Sequence, residues 1–190
     1  ASAPMQWLAE RLEAGDTLGY DAQVVSLAHG RQFEDILGER GVVLRGDSDL
    51  LDEIWRDRPS LPSGAIEPHA GRYLDETRRQ RLDRVRTAMA EHHADWHLVS
   101  TLDDIAWLTT LRGADVGFNP VFLSHLLIGR ATATLFVAPG KLAPELVDAL
   151  KADGVEVADY ADWAARLSAL PRDERVLIDP ARLTLGTRQA

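Results

Sequence analysis

The segment "VFLSHLLIGRATATLFVA" (residues 121–138) decides how the chain is built. It contains two apolar runs, one on each side of Gly129 and Arg130. Apolar runs of this length, with β-branched and aromatic residues and a glycine between them, are typical of a β-hairpin. The sequence therefore predicts two adjacent antiparallel strands in this part of the chain.

Helices and strands alternate on both sides of the hairpin. The preceding residues read as an amphipathic helix from about Asp75, a strand "WHLVST" (96–101) and a short helix "LDDIAWLTT" (102–110). The following residues read as a helix over 142–152, a strand "VEVADY" (155–160), a helix over 160–169 and a strand "RVLID" (175–179). This order predicts an α/β fold with a mixed β-sheet flanked by helices.

The first 58 residues also alternate, but they contain few elements. They read as a short helix ended by Gly15, a brief strand "DTLGY" (16–20), a helix capped by Ser26, a buried strand "VVLR" (42–45) and a helical turn "LLDEIW" (50–55). Two strands leave the edges and faces of a sheet open, so a complete domain rarely stops there. We therefore interpret residues 1–58 as a partial domain of the same α/β kind.

A change in composition marks the boundary between the two regions. From Arg56 the sequence "RDRPSLPSGAIEPHAGRYLDE" contains three prolines and two glycines without a helical or strand period. We predict a linker over 59–74 and a second α/β domain over 75–190. The chain begins with Ala1 and enters a helical pattern at once, which favours a fragment cut from a longer polypeptide.

Composition excludes several classes of protein. The 190 residues carry a formal net charge of −9 and include no cysteine, so disulfides, thiolate metal sites and cysteine nucleophiles are ruled out. The acidic balance, without a basic face, argues against binding to nucleic acid. No apolar run approaches the ~20 residues of a membrane span, and no signal peptide is visible. These features favour a cytoplasmic protein.

The sequence lacks the common signatures of a catalytic centre. Glycine-rich phosphate loops and the G-x-S-x-G nucleophile motif are absent. His93 and His97 have the spacing of a metal-binding helix, but the helix is expected to end between them, which favours structural roles. Asp103 and Asp104 open a short helix, and one of them is predicted to cap it. We expect neither catalytic nor metal-binding residues in this chain.

Polar residues concentrate in "LRGADVGFNP" (residues 111–120). Arg112 offers a bidentate fork that Asp115 could hold, and Asn119 stands before Pro120 at the exit of the loop. Two interpretations remain open from these residues. Arg112 and Asp115 form a clamp that makes the loop rigid, or the loop lines a substrate channel or an interface. Arg112, Asp115 and Asn119 are accordingly the candidate substrate-binding or loop-positioning residues.

Three motifs resemble those of three-domain Xaa-Pro aminopeptidases (aminopeptidase P). They are "LLDEIWRDRPSLP" (50–62), "RLDRVRTAM" (81–89) and "TLDDIAWLTTLRGADVGFNPVFLSHLLI" (101–128). Their order and spacing agree with the family over nearly the whole chain. Two residues depart from the family pattern, since Thr110 stands where asparagine is usual and His125 where tyrosine is usual.

The resemblance implies a fold and a parent enzyme. Family members have two creatinase-like N-terminal α/β domains followed by a pita-bread catalytic domain, which binds two divalent metal ions, commonly manganese, through Asp, His and Glu. None of those ligands can be placed here, because we expect the chain to end before that domain. The resemblance thus implies a non-catalytic fragment of a metallopeptidase, a hydrolase that removes the residue before proline.

The resemblance also implies partners for the chain. They are its own C-terminal catalytic domain, further copies in a homo-oligomer, and the peptide substrate, whose access the loop around Arg112 helps to shape. Two alternatives stay open: a stand-alone interaction or dimerisation module with a creatinase-like fold, and a fragment of a prolidase or creatinase relative.

Overall fold

The fold comes from a computed structural model that describes residues 3–52, 54–69, 71 and 74–189. The helices are α1 (Ala3–Arg11), α2 (Leu27–Ile36), α3 (Arg78–Glu91), α4 (Leu102–Thr109), α5 (Pro144–Ala152), α6 (Trp163–Ser168) and α7 (Leu185–Gln189). The strands are β1 (Thr17–Gly19), β2 (Val43–Arg45), β3 (Glu67–Pro68), β4 (Trp96–Val99), β5 (Leu111–Arg112), β6 (Ser124–Gly129), β7 (Ala133–Val137), β8 (Val155–Asp159) and β9 (Val176–Leu177). Single 3-10 turns cover Gly38–Arg40 and Tyr160–Asp162.

The chain divides into two compact units, whose limits differ from the predicted domains. The first contains Ala1–Ser60 together with Asp179–Ala190, and the second contains Leu61–Ile178. Residues 61–74 of the predicted linker belong to the second unit, in whose core Ile66 is buried. The C-terminal residues belong to the first unit, where the Leu27 amide donates to the Leu183 carbonyl (2.8 Å).

The first unit is a small α/β arrangement. β1 and β2 pair in parallel, with Thr17 opposite Val43, and α2 connects them. The predicted cap of α2 is confirmed, since the Ser26 hydroxyl accepts from the His29 amide (3.2 Å). The prediction that "VVLR" forms a buried strand is right in part, since β2 forms there and Val42 is buried, but Val43 is 49% exposed and only the middle residue of β2 is partly buried.

The second unit is built on a five-stranded mixed sheet with the order β8-β7-β6-β4-β9. β6 runs antiparallel to both of its neighbours, while β4 pairs in parallel with β9 and β7 in parallel with β8. The predicted hairpin is confirmed as β6 and β7. Every residue of β7 is buried, as expected for a strand in the interior of a sheet that helices cover. The predicted α/β class and mixed sheet are therefore confirmed.

The start of α3 is fixed by a capping box. The Thr77 hydroxyl accepts from the Gln80 amide (3.3 Å), and the Gln80 side chain accepts from the Thr77 amide (2.8 Å). These reciprocal bonds satisfy backbone donors that have no partner inside the helix.

Replacing Thr77 with alanine is expected to reduce the free energy of unfolding by about 1 kcal/mol, because the cap hydrogen bond is lost. Thr101 provides a matched control, since it precedes α4 but makes no side-chain cap bond. Urea unfolding should show a smaller loss for Thr101→Ala than for Thr77→Ala. Equal losses would mean that the capping box contributes nothing of its own.

Two predictions about polar residues near helix ends have different outcomes. α3 ends at Glu91 and His97 lies on β4, so the two histidines do not share a helix, as expected, but the helix ends before His93 and not between His93 and His97. The prediction that Asp103 or Asp104 caps α4 is wrong. Both carboxylates are exposed in the first turn, two and three residues after the N-cap Thr101, where they still interact favourably with the helix dipole.

Candidate functional site

The predicted site lies in the connecting loop, which we define as residues 113–123 between β5 and β6. Its backbone folds back on itself through the hydrogen bonds Gly113 N to Pro120 O (3.3 Å), Asp115 N to Val121 O (3.2 Å) and Asn119 N to Val116 O (3.1 Å). A Cβ atom at Gly113 would lie 2.7 Å from the Cβ of Phe122, so the close approach requires glycine. The loop therefore has a defined conformation.

A buried ion pair anchors the connecting loop. The Asp115 carboxylate pairs with the Lys141 ammonium, and the two side chains are 0% and 1% exposed. The same carboxylate oxygen accepts from the Leu123 amide (2.7 Å), and Lys141 also approaches the Pro62 carbonyl (3.4 Å). Asp115 thereby joins the two ends of the loop to the turn that precedes α5.

The other carboxylate oxygen of Asp115, Oδ1, is buried without a hydrogen-bond partner among the described residues. A buried carboxylate with one oxygen unsatisfied depends strongly on its remaining partners, because its charge is poorly solvated. The pair with Lys141 and the bond from Leu123 consequently carry the stabilisation of this charge.

The predicted clamp between Arg112 and Asp115 is absent. The guanidinium of Arg112 donates instead to the carbonyls of Ala106 (3.0 Å) and Leu111 (2.7 Å), and no carboxylate pairs with it within the described ranges. The physical reason is that Lys141 reaches Asp115 from a distant part of the sequence and occupies it. Arg112 is half-buried and ties β5 to the end of α4.

Sequence reasoning missed Lys141, although a weak signal was present. The chain has only two lysines, and Lys141 stands between Gly140 and an apolar residue at the start of a helical segment. A lysine there is a candidate for burial with a partner. Nothing local identifies that partner, which lies 26 residues earlier.

Asn119 lies at the tip of the connecting loop, apart from the ion pair. Its amide closes a tight turn on Val116, and its carbonyl accepts from the Val121 amide (2.8 Å). Phe118, which lies between Val116 and Asn119, projects from the tip with a relative exposure of 113% and a φ angle of +61°. The structure thus brings Asp115 to the base of the loop and Asn119 to its tip, with Arg112 outside the loop on β5.

The first residue that departs from the family pattern is Thr110. It follows α4 in the left-handed region, with φ of +56°. Asparagine tolerates this region well, whereas a β-branched residue rarely adopts it. The usual asparagine therefore suits the backbone better than the threonine present here.

The second departure is His125, which lies on β6. Its Nδ1 is hydrogen-bonded to the Ser100 hydroxyl (2.8 Å), and its ring packs on Tyr160 and Trp163 at centroid distances of 5.4 and 4.5 Å. Burial among these groups disfavours the charged imidazolium and lowers the pKa of His125 to about 4. Burial also raises the pKa of the Tyr160 phenol. His125 is consequently neutral at pH 7.

A cavity of about 800 Å³ lies between β3 and the start of α5. Most of its lining is apolar or backbone, and Arg78 and Lys141 supply its basic groups. Both side chains have partners, since Arg78 pairs with Asp153 (2.6 Å) and donates to the Thr109 carbonyl (2.7 Å). The cavity therefore contains no uncommitted charge from either basic residue.

No three His, Cys, Asp or Glu side chains converge as a metal site in the described part of the chain. The described residues thus do not offer the set of ligands that a metal ion needs. Nor is any described helix long and apolar enough to cross a membrane.

Comparison with known proteins identifies relatives of the chain. Residues 57–190 match the family described as Creatinase/Prolidase N-terminal domain. A probable Xaa-Pro aminopeptidase P from Talaromyces marneffei is 34% identical over 167 residues, which are 87% of this chain and 25% of the relative. One from Aspergillus niger is 35% identical over 74% of this chain and 23% of the relative. The chain spans about a quarter of the length of these curated relatives.

A solved structure shares the fold. The crystal structure of X-prolyl aminopeptidase from Caenorhabditis elegans, described as a cytosolic enzyme with a di-nuclear active site, matches 88% of this chain and 28% of its own, with a TM-score of 0.83 and 23% identity. The identity is low, so this match supports the fold alone. The family match covers most of the sequence. The chain therefore belongs to the creatinase/prolidase N-terminal domain family, and over most of its length it is similar to part of Xaa-Pro aminopeptidase P.

Proposed function

We propose that the chain is the non-catalytic N-terminal part of a proline-specific metallo-aminopeptidase, which we call the parent. The parent removes the N-terminal residue from peptides with proline at position two. In it, the connecting loop shapes the access of the substrate and contacts between domains or subunits. The observation that carries this proposal is the similarity to Xaa-Pro aminopeptidase P over most of the chain, and the buried Asp115–Lys141 pair, which anchors the loop, supports the role given to the loop.

The catalytic chemistry is proposed to lie outside this chain. The Caenorhabditis elegans relative is described as having a di-nuclear active site, while the described residues here supply no cluster of metal ligands. We propose that two divalent metal ions, of manganese type, are held by the parent's catalytic domain. Two such ions would activate water and stabilise the oxygen of the attacked peptide bond. The role of this chain is then to position the substrate and to limit its access to the catalytic domain.

Charge and exposed apolar groups support the proposed partners. The net charge of −9 disfavours nucleic acid and anionic membrane surfaces. Leu50, Leu51 and Ile54 are 54%, 55% and 76% exposed, and neighbouring apolar groups of this kind mark protein contacts. We propose the catalytic domain and further copies of the parent as protein partners, the peptide as substrate, and the cytoplasm as location.

The direct test compares the parent with the 190-residue chain. The parent, loaded with Mn²⁺, is expected to hydrolyse a peptide with proline at position two and to spare one with alanine there. The chain alone should hydrolyse neither. Cleavage by the isolated chain, or a parent without preference for proline, would contradict the proposal.

On the proposal that the Arg112 guanidinium contacts the substrate, replacing Arg112 with alanine in the parent is expected to lower kcat/KM by more than about tenfold. Both of its carbonyl bonds come from Nη1, which leaves Nη2 for such a contact. Arg130 is a matched control, because it lies on the hairpin turn with a 78% exposed side chain. Steady-state kinetics should show little change for Arg130→Ala. An unchanged kcat/KM for Arg112→Ala would mean that Arg112 does not contact the substrate and only joins α4 to β5.

A further inference from the structure

Phe118 is the most exposed large apolar side chain among the described residues, with a relative exposure of 113%. Its neighbour Val116, two residues earlier in the same turn, is 39% exposed. An aromatic side chain surrounded by water on all sides gains nothing for the stability of its own domain. A contact outside this unit would give it a stabilising role.

The backbone of Phe118 adds a second cost. Its φ of +61° places a residue with a Cβ atom in the left-handed region, which asparagine or glycine would adopt more easily. An exposed apolar ring and an unfavourable φ both cost stability at this position, and no contact within the unit offsets them. Backbone strain of this kind persists where the surrounding structure enforces it.

The connecting loop supplies that enforcement. Its base is fixed by the buried pair of Asp115 with Lys141, and its tip is closed by the bond from Asn119 N to Val116 O (3.1 Å). Phe118 is therefore presented on a rigid support instead of a flexible tail. Preorganisation of this kind reduces the entropy lost when an aromatic anchor binds.

We propose that Phe118 inserts into an apolar pocket of the parent's catalytic domain and so docks the connecting loop onto it. This inference rests on the proposed function and names the residue that makes the contact. The pocket would be lined by aliphatic or aromatic side chains and sized for one phenyl ring.

The size of the contact favours a domain of the same polypeptide over a second copy of the chain. A phenylalanine buries about 150–250 Å², whereas a stable dimer buries roughly 800 Å² on each partner. One ring is too small to hold two independent molecules together. It suffices between tethered domains, where the effective concentration reaches about the millimolar range. The relatives also leave room for such a domain, since about three quarters of their length lies outside the matched region.

Phe118→Gly tests the inference through opposite effects in the two proteins. Glycine removes both the exposed ring and the unfavourable φ, so the Tm of the 190-residue chain should rise by about 2–4 °C. In the parent the same change would empty the pocket, and the Tm should fall by at least as much. Phe118→Met, which keeps an apolar side chain, should retain most of the parent's Tm.

His93→Gly is the matched control, because His93 is exposed and has a φ of +53° but carries no apolar ring. It should raise the Tm in the chain and in the parent alike. A rise for Phe118→Gly in both proteins would overturn the inference. It would also be overturned if sedimentation showed a dimer of the chain that Phe118→Gly abolishes.

Hydrolysis of a peptide with proline at position two, measured on the same parent samples, separates the two proposals. Opposite Tm effects without hydrolysis would support docking and reject the proposed activity. Hydrolysis without opposite Tm effects would reject docking and leave the proposed activity standing.

Discussion

Asp115→Ala is expected to reduce the free energy of unfolding of the second unit by about 3–5 kcal/mol. The variant leaves the Lys141 ammonium in a site where its side chain is 1% exposed, and it deprives the Leu123 amide of its acceptor (2.7 Å). A loss of this size is a large part of the stability of an ordinary domain. Native-state hydrogen exchange at the Leu126 and Leu135 amides would measure it, because both residues are buried in the sheet.

The double variant Asp115→Asn with Lys141→Met is the control for this prediction. The asparagine oxygen can still accept from Leu123, and methionine fills the space of the lysine stem without a charge. Replacing both partners of a buried pair is often neutral, so the double variant should lie within about 1 kcal/mol of the wild type. If the stability lost by the double variant equals the sum of the losses of the two single variants, the two groups are not coupled.

The elements predicted well from the sequence are those specified by neighbouring residues. The hairpin of β6 and β7 follows from two apolar runs and a break, and the start of α2 from the hydroxyl of Ser26. Gly129 shows the limit of such reasoning. The sequence predicts a turn residue there, but Gly129 ends β6, and a Cβ at this position would lie 2.6 Å from the Trp96 ring. The reason for that glycine is a contact with a distant strand.

The features that were missed depend on residues that are far apart in the chain. Arg112 and Asp115 are close in sequence and opposite in charge, which makes a local pair the natural expectation. The fold brings Lys141 to Asp115 instead. Both side chains of this pair are buried, so Asp115 is not available to Arg112. The residue type of Val43 predicts burial, although β2 has few neighbours to cover it. Both errors come from contacts that a local pattern does not contain.

His125 is expected to make the second unit sensitive to mild acid. The unfolded chain binds a proton at this residue near pH 6.5, whereas the folded pKa is lowered to about 4 by burial. Between these values the unfolded state holds more protons, so stability falls as the pH falls through this window. The loss should reach about 3 kcal/mol by pH 4 and be absent at pH 7.

His125→Phe should abolish this part of the acid sensitivity, because phenylalanine can still pack on Tyr160 and Trp163 but does not titrate. Urea unfolding at pH 7 and at pH 4 would give the difference between variant and wild type. Asp47 and Asp49, whose pKa values are lowered by Arg45 and Arg58, are the same in both proteins and cancel in that difference. His92→Gln, at an exposed histidine, should leave the wild-type slope intact. If His125→Phe loses as much stability as the wild type at pH 4, the acid sensitivity arises elsewhere, and the imidazole is not the buried neutral group that its surroundings indicate.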